Sequence, residues 1–422
     1  MRAVKRPAVN VTLATVLVLT TLTFGAGFAS KIHCAGGDWA DGRQYKDLCY
    51  TDIIPLFGTE QLTSGRLPFL DTCAPVTNGS NCDEYPVLTM YFMRTAAIFS
   101  NGSVSTYFVV TSVMLLLCAL ITAACLYFMV GSRALYFAVA PTLAILGVIN
   151  WDMFAVALAT GGLLAYFLKR NAGAGALLGL GAATKLFPGF QVIPLIADRL
   201  RRRDPDGAIT IGWTSVATFA VVNAPFAIVA TAGWWEFFRF NAERCADFDS
   251  LWAIGWRYAA GPNAACSHTT IINELSPVLF VASFAAVWVW KARRTPDFAR
   301  WTLGFPLLVL FLLTSKVYSP QYGLWLLPWF ALALPGVWRF AAFELADLFV
   351  FVTRFEWFGR YSGFGGPPQW LFETAVIIRA VVLLWCVLAW VRRPNEPLLI
   401  ELASAASSPG AANAPEPAPE PA

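Results

Sequence analysis

The sequence predicts an all-α protein: a polytopic transmembrane bundle of about 11–12 membrane helices, counting a broken hairpin, with a structured first extracytoplasmic loop. Three observations predict it. Of 422 residues, 57% are hydrophobic and 13% charged, with mean hydropathy +0.59, whereas a soluble domain is about one quarter charged. Apolar runs recur from Val9 to Val391. The basic residues fall in short clusters between those runs, the pattern that orients a membrane protein. A net charge of +4 distributed in this way gives no footprint for nucleic acid.

The first run, Val9 to Ala29, follows Arg2, Lys5 and Arg6. It is longer than an ordinary signal-peptide core, and Gly27-Phe28-Ala29-Ser30-Lys31 is a weak cleavage site, so it reads as an uncleaved span. Residues 31–103 then lie outside. A span from Val104 to Val130 returns to Arg133. Leu135 to Val148 exits at Asn150-Trp151-Asp152, and the next run returns to Lys169-Arg170. Ala172 to Ala197 has basic residues on both flanks and Pro188-Gly189 in its middle, so it is expected to turn back as a hairpin. Interrupted helices of this kind are tolerated where they line a cavity, and they point to binding sites. Ile209 to Ala230 leads to a second external loop, residues 233–270. The next span ends at Lys291, Arg293 and Arg294. Trp301 to Leu313 exits to Ser315–Tyr322, and spans returning near Arg339, exiting near Arg354 and ending at Arg392-Arg393 complete the set. Both termini are then cytoplasmic. Residues 1–395 form one membrane domain, and the Ala/Pro/Glu-rich residues 403–422 are expected to be a disordered cytoplasmic tail. No internal repeat or soluble domain is evident.

Six of nine cysteines fall in the two external loops, where disulfides persist. Cys34, Cys49, Cys73 and Cys82 allow three pairings; Cys245 and Cys266 have each other. Cys118, Cys125 and Cys386 lie inside spans and read as packing residues. With two histidines and no close cysteine pair, metal binding is the weaker reading of these cysteines. Asn78 and Asn101 match glycosylation acceptors, a pattern common by chance.

Asp52 is the leading candidate for chemistry, as a carboxylate that accepts a proton from an attacking hydroxyl. Tyr50 and Phe57 are expected to shape its pocket. The plainer alternative for Asp52 is a helix cap or an ion pair with Arg66, and Glu60, Asp83 and Glu84 compete for the catalytic role. Lys185, an ammonium in an apolar hairpin, is a functional candidate by cost alone; its alternative is snorkelling to the surface. Arg239, Arg244 and Arg257 suit phosphate. Trp234 and Trp235 are better read as interface anchors. Lys316, Tyr318, Gln321 and Tyr322 make a third external cluster. Lys185, Arg244, Lys316, Tyr318 and Gln321 are the candidates to hold a phosphate-bearing substrate, and Glu84, Tyr85 and Trp252 to hold a hydroxyl-bearing one. Glu344 and Asp347 are expected to pair with Arg339 or Arg354.

Taken together, Cys49-Tyr50-Thr51-Asp52-Ile53, Glu84-Tyr85-Pro86, Asn150-Trp151-Asp152, Thr184-Lys185-Leu186-Phe187-Pro188 and Ser319-Pro320-Gln321-Tyr322 resemble the GT-C superfamily of membrane glycosyltransferases, most closely its family-87 branch from actinobacteria. The likeness runs from about residue 10 to about residue 395. It implies a polyprenyl-phosphate sugar as donor, Asp52 as base, and transfer with inversion on the extracytoplasmic face. Mannose is the expected sugar and a lipid-linked or cell-envelope glycan the expected acceptor, with arabinofuranose transfer as the alternative. No cofactor is expected, and a divalent metal is left open. The Ser319-Pro320-Gln321-Tyr322 region has no histidine, where the resemblance implies a polar or basic side chain in some relatives. The reading from another class is a glycolipid flippase. Concentration of the polar residues in external loops, without repeats, favours the enzyme.

Overall fold

Apolar length sorts the helices into two kinds. The computed structural model describes residues 11–36, 39–73 and 82–394; Arg2, Lys5, Arg6, Asn78 and the 403–422 tail lie outside these. Helix α1 (Leu13–Ile32) leads into the first loop, which holds α2 (Arg43–Lys46), α3 (Ile53–Thr59) and α4 (Val87–Ile98). Then come α5 (Val104–Val130), α6 (Leu135–Ala138), α7 (Pro141–Leu146), α8 (Asp152–Phe167), α9 (Asn171–Ala182), α10 (Phe187–Phe190) and α11 (Val192–Arg201). Helices α12 (Pro205–Val229), α13 (Thr231–Glu243), α14 (Leu251–Ala260), α15 (Ala264–Ser267) and α16 (Thr269–Arg294) follow. The chain closes with α17 (Gly304–Thr314), α18 (Gly323–Leu332), α19 (Val337–Tyr361) and α20 (Gln369–Arg392). No strand occurs among the described residues.

Five helical stretches among the described residues are long and apolar enough to cross a membrane: α1, α5 with its extension through α6, α12, α16 and α20. Helix α19 is as long, with 25 residues, but carries Arg339, Glu344, Asp347, Arg354, Glu356 and Arg360; the remaining helices are shorter. Helix α9 has 12 residues, about 18 Å at 1.5 Å per residue, against a hydrocarbon core of about 30 Å. Helix α18 is buried at every position, as a helix apolar all round must be. By contrast α12 presents Ile209, Trp213, Val216, Val221 and Ile228 outward, and α16 presents Val278, Val281 and Val289. The long helices therefore form a lipid-facing shell around short, buried ones.

The hairpin expected over Ala172 to Ala197 is present. Helix α9 runs to a turn at residues 183–186, and α10 and α11 lead back. Small residues make it fit. A Cβ at Gly175 or Gly179 would collide with the backbone carbonyls of Ile211 or Ser215 on α12, and one at Gly181 would press on the Pro188 ring. Glycines four apart are a common way for membrane helices to approach closely.

The basic clusters meet at one end of the bundle. Arg133, Lys291 and Arg393 surround one small cavity, and Arg201 pairs with Asp297. Three disulfides join Cys34 to Cys49, Cys73 to Cys82 and Cys245 to Cys266, while Cys118, Cys125 and Cys386 are free and buried.

The segment of residues 233–270 is largely helical, as α13, α14 and α15, because its tryptophans and phenylalanines recur at helical spacing. One expectation is corrected. The buried acids choose other partners. Asp347 pairs with Arg379 at 3.3 Å. Glu344 accepts from the Thr142 amide at 2.7 Å. Arg354 goes to Asp247 and Asp249, at 3.1 and 2.8 Å.

Replacing Gly179 by Val should force α9 away from α12. Overpacking of this kind costs about 1–3 kcal/mol. The expected result is a lower melting temperature for the detergent-solubilised protein; an unchanged one would contradict the close contact.

Candidate active site

A cavity of about 680 Å³ opens at the end of the bundle opposite the basic clusters. Its walls come from the first loop, the hairpin tip, α13, the residue 315–322 segment and α19. The short helices stop where the cavity begins, so their ends supply its floor.

The first wall carries Asp52. Thr51 Oγ1 donates to the Val148 carbonyl at 2.8 Å and the Asp52 amide to the Ile149 carbonyl at 2.8 Å. This stitches the loop to the segment before α8. Asp52 stands at the N-cap position of α3, but its side chain makes no capping bond. Arg66 binds Asp83 at 2.8 Å and Glu60 at 3.5 Å instead. Both plainer readings of Asp52 are thus set aside. Its carboxylate accepts from Tyr50 Oη at 2.7 Å, Asn150 Nδ2 at 2.8 Å and, more weakly, Gln321 Nε2 at 3.5 Å. Tyr50 stacks on Phe355 of α19 at 4.8 Å. Phe57 does not join this site: it is buried against Tyr107, ring centroids 4.1 Å apart.

The second wall is the hairpin tip. Lys185 projects into the cavity rather than snorkelling, with its ammonium 3.4 Å from Asp152 and above the Tyr85 ring at 4.9 Å. Asp152 is fully buried and also accepts from Trp325 Nε1 at 2.7 Å. Aromatic stacking of Trp325 on Phe187 and Tyr322, at 4.2 and 4.0 Å, closes this corner.

The third wall carries Arg244, Lys316, Asp247 and Arg354. Lys316 Nζ donates to the carbonyls of Ala242 and Arg244 at 3.1 and 3.0 Å. Burial, with Arg244 adding repulsion, lowers Lys316 to about 8. Asp247 binds Ser319 Oγ at 3.0 Å and the Arg354 guanidinium, and its amide donates to the Lys316 carbonyl at 2.8 Å. Burial opposes ionisation of Asp247, yet Arg354 and Arg244 hold it below the usual carboxylate range.

Asp52, Glu84, Tyr85, Lys185, Arg244, Lys316 and Gln321 therefore share one cavity. Tyr318 is buried under Arg379, 3.6 Å from its ring, and lies outside the lining. Trp252 also lies outside, its indole bonded to the Thr314 carbonyl at 2.7 Å. Arg257 is taken by Glu373 at 2.5 Å and Arg239 by Glu236 at 2.7 Å. Helix α13 presents Phe237 and Phe240 to the cavity, while Trp235 on the same helix is exposed. Asn150, Asp152 and Asp247 were not given a role from sequence, and Arg354 was expected only as a partner of Glu344 or Asp347. Asn150 and Asp152 stood within a recognised motif, but Asp247 and Arg354 carried no signal beyond their charge. The sulfurs near His33 belong to the Cys34–Cys49 bond, so they offer no thiolate to a metal.

Behind Asp52, Glu60 accepts from the amides of Asp83 and Glu84 at 2.7 and 3.3 Å. This fixes the segment that presents Glu84. Burial pushes Glu84 up to about 7, against the pull of Arg244 and with repulsion from Asp52 and Glu236.

A family model described as glycosyltransferase family 87 matches residues 84–320, more than half of the chain. Comparison with curated proteins gives no match.

Glu84 gives a pH dependence. Its folded value of about 7 exceeds the unfolded value of about 4.3. Its contribution to stability is complete below the unfolded value and is lost as pH rises through the folded one. Between about pH 4.5 and pH 7, wild type should lose more melting temperature than Glu84→Gln. Parallel curves for the two proteins would refute the shift.

Proposed function

Because the chain belongs to glycosyltransferase family 87, we propose that it transfers mannose from a polyprenyl-phosphate donor to a lipid-linked or cell-envelope glycan acceptor, at the extracytoplasmic face and with inversion. One observation carries this reading: the Asp52 carboxylate lies in the same cavity as Lys185, Arg244 and Lys316, at the outer limit of helices too short to cross. A lipid-linked sugar stays in the membrane, and a sunken cavity lets its head group reach a site built partly from loops.

In this mechanism the acceptor hydroxyl gives its proton to the Asp52 carboxylate. Its oxygen forms a bond to the anomeric carbon on the face opposite the phosphate. The carbon–oxygen bond to phosphate breaks, and polyprenyl phosphate leaves with the bonding pair. Lys185, Arg244 and Lys316 supply positive charge for that leaving group, a role in which preorganised cations lower the barrier. Glu84 and Tyr85 face the acceptor. The orientation follows from charge: the basic clusters meet at the opposite end, which the positive-inside rule assigns to the cytoplasm.

With radiolabelled polyprenyl-phosphate mannose and membranes containing matched amounts of protein, Asp52→Asn should lower turnover about 10²–10⁴-fold, the usual worth of a general base. Near-normal turnover by this variant would make Asp52 structural. Lys185→Ala should weaken donor use by about 2–5 kcal/mol, the usual cost of losing one partner of a buried charge pair. An unchanged KM and kcat would remove Lys185 from the phosphate site.

A further inference from the structure

Asn150, Trp151 and Asp152 form the turn that opens α8, and it reaches both the carboxylate and the ammonium of the site. Asn150 is 1% exposed. Its Nδ2 donates to Asp52 Oδ2 at 2.8 Å and to Tyr85 Oη at 2.8 Å. Its Oδ1 accepts from the Trp151 amide at 2.6 Å and faces Lys185 Nζ at 3.4 Å. The charges fix which way the amide points. Reversed, it would set its oxygen against the Asp52 carboxylate and its NH2 against an ammonium.

An amide held in this way stands between opposite charges. Asp52 touches its nitrogen end and Lys185 its oxygen end. If Asp52 and Lys185 met directly, the ion pair would weaken the carboxylate as a base and occupy the ammonium. Asp152 gives Lys185 a separate resting partner at 3.4 Å, buried and anchored by Trp325.

We propose that Asn150 is a positioning residue that acts as a neutral spacer: it orients the Asp52 carboxylate toward the acceptor hydroxyl and keeps it from pairing with Lys185. This rests on the reading of Asp52 as the base. The charged and titratable groups around Asp52 are Tyr50, Glu84 and Tyr85 from the first loop, Lys31 at the end of α1, Asp152 and Lys185 across the cavity, and Arg354 on α19. Asn150 bonds to Asp52 and Tyr85 and faces Lys185, without carrying charge itself.

The test is the pH dependence of turnover with radiolabelled polyprenyl-phosphate mannose, using wild type, Asn150→Ala, Asn150→Asp and Asp52→Asn. In Asn150→Asp a second carboxylate faces the first, so the acid limb of the profile should move up by about one pH unit or more. In Asn150→Ala the ammonium can reach Asp52, so the acid limb should move down and turnover should fall about tenfold to a hundredfold. Melting temperatures report folding, and Asn150→Asp, which preserves size, carries the test if Asn150→Ala does not fold. A merely structural Asn150 would reduce folded enzyme without moving either limb. Limbs that coincide with wild type, with Asp52→Asn inactive, overturn the spacer alone. Retained turnover in Asp52→Asn overturns the spacer and the base together.

Discussion

An ammonium placed inside an apolar hairpin must be given a counter-charge, and that requirement ties this structure together. Lys185 and Asp152 meet at 3.4 Å, and neither carries its charge cheaply alone in such surroundings. Their meeting binds the hairpin tip to the start of α8. Trp325, bonded to Asp152 and stacked on Phe187, adds α18 to the same junction. Three elements from separate parts of the chain thus converge where the cavity floor must be rigid. The small-residue contact between α9 and α12 supports it from behind.

A second set of charges secures the opposite wall. Arg354 joins Asp247 and Asp249, and Arg379 joins Asp347 while lying over Tyr318. These contacts fasten the residue 315–322 segment to the second loop and to α19 and α20. Removing a single member would leave its partner charged and buried, a far larger loss than an exposed ion pair would incur. The cavity is therefore lined by charges whose positions are fixed before any substrate enters, a condition for electrostatic help in a group transfer.

Much of this was legible in the sequence, for identifiable reasons. Basic residues on both sides of Ala172–Ala197 required a hairpin, and the hairpin exists. Lys185 stood out because its charge was costly in that setting. Asp52 stood out by position and motif. The partners of Arg354 and Asp347 were not legible, because sequence distance does not reveal which buried helices lie side by side. Tyr318, Trp252 and Phe57 looked suitable by type and proximity, yet their side chains pack beneath the wall. Asn150 stood within a motif, but no feature of the sequence assigned it a role. It has no charge, so neither patterning nor desolvation cost singles it out. Its importance comes from lying between two groups that do.

The disulfides carry a consequence for how the protein matures. Cys49 precedes Asp52 by three residues, and Cys82 precedes Glu84 by two. Asp52 and Glu84 therefore each follow closely after a cross-link, to Cys34 in one case and to Cys73 in the other. In a reducing compartment such bonds do not persist. The membrane helices need no cross-link to insert, so a chain produced there would span the bilayer yet leave both acid-bearing segments untethered. On the proposed extracytoplasmic placement of the two loops, competence would be acquired only after translocation, when oxidation closes them. The choice of expression host decides whether a well-inserted preparation is also an active one.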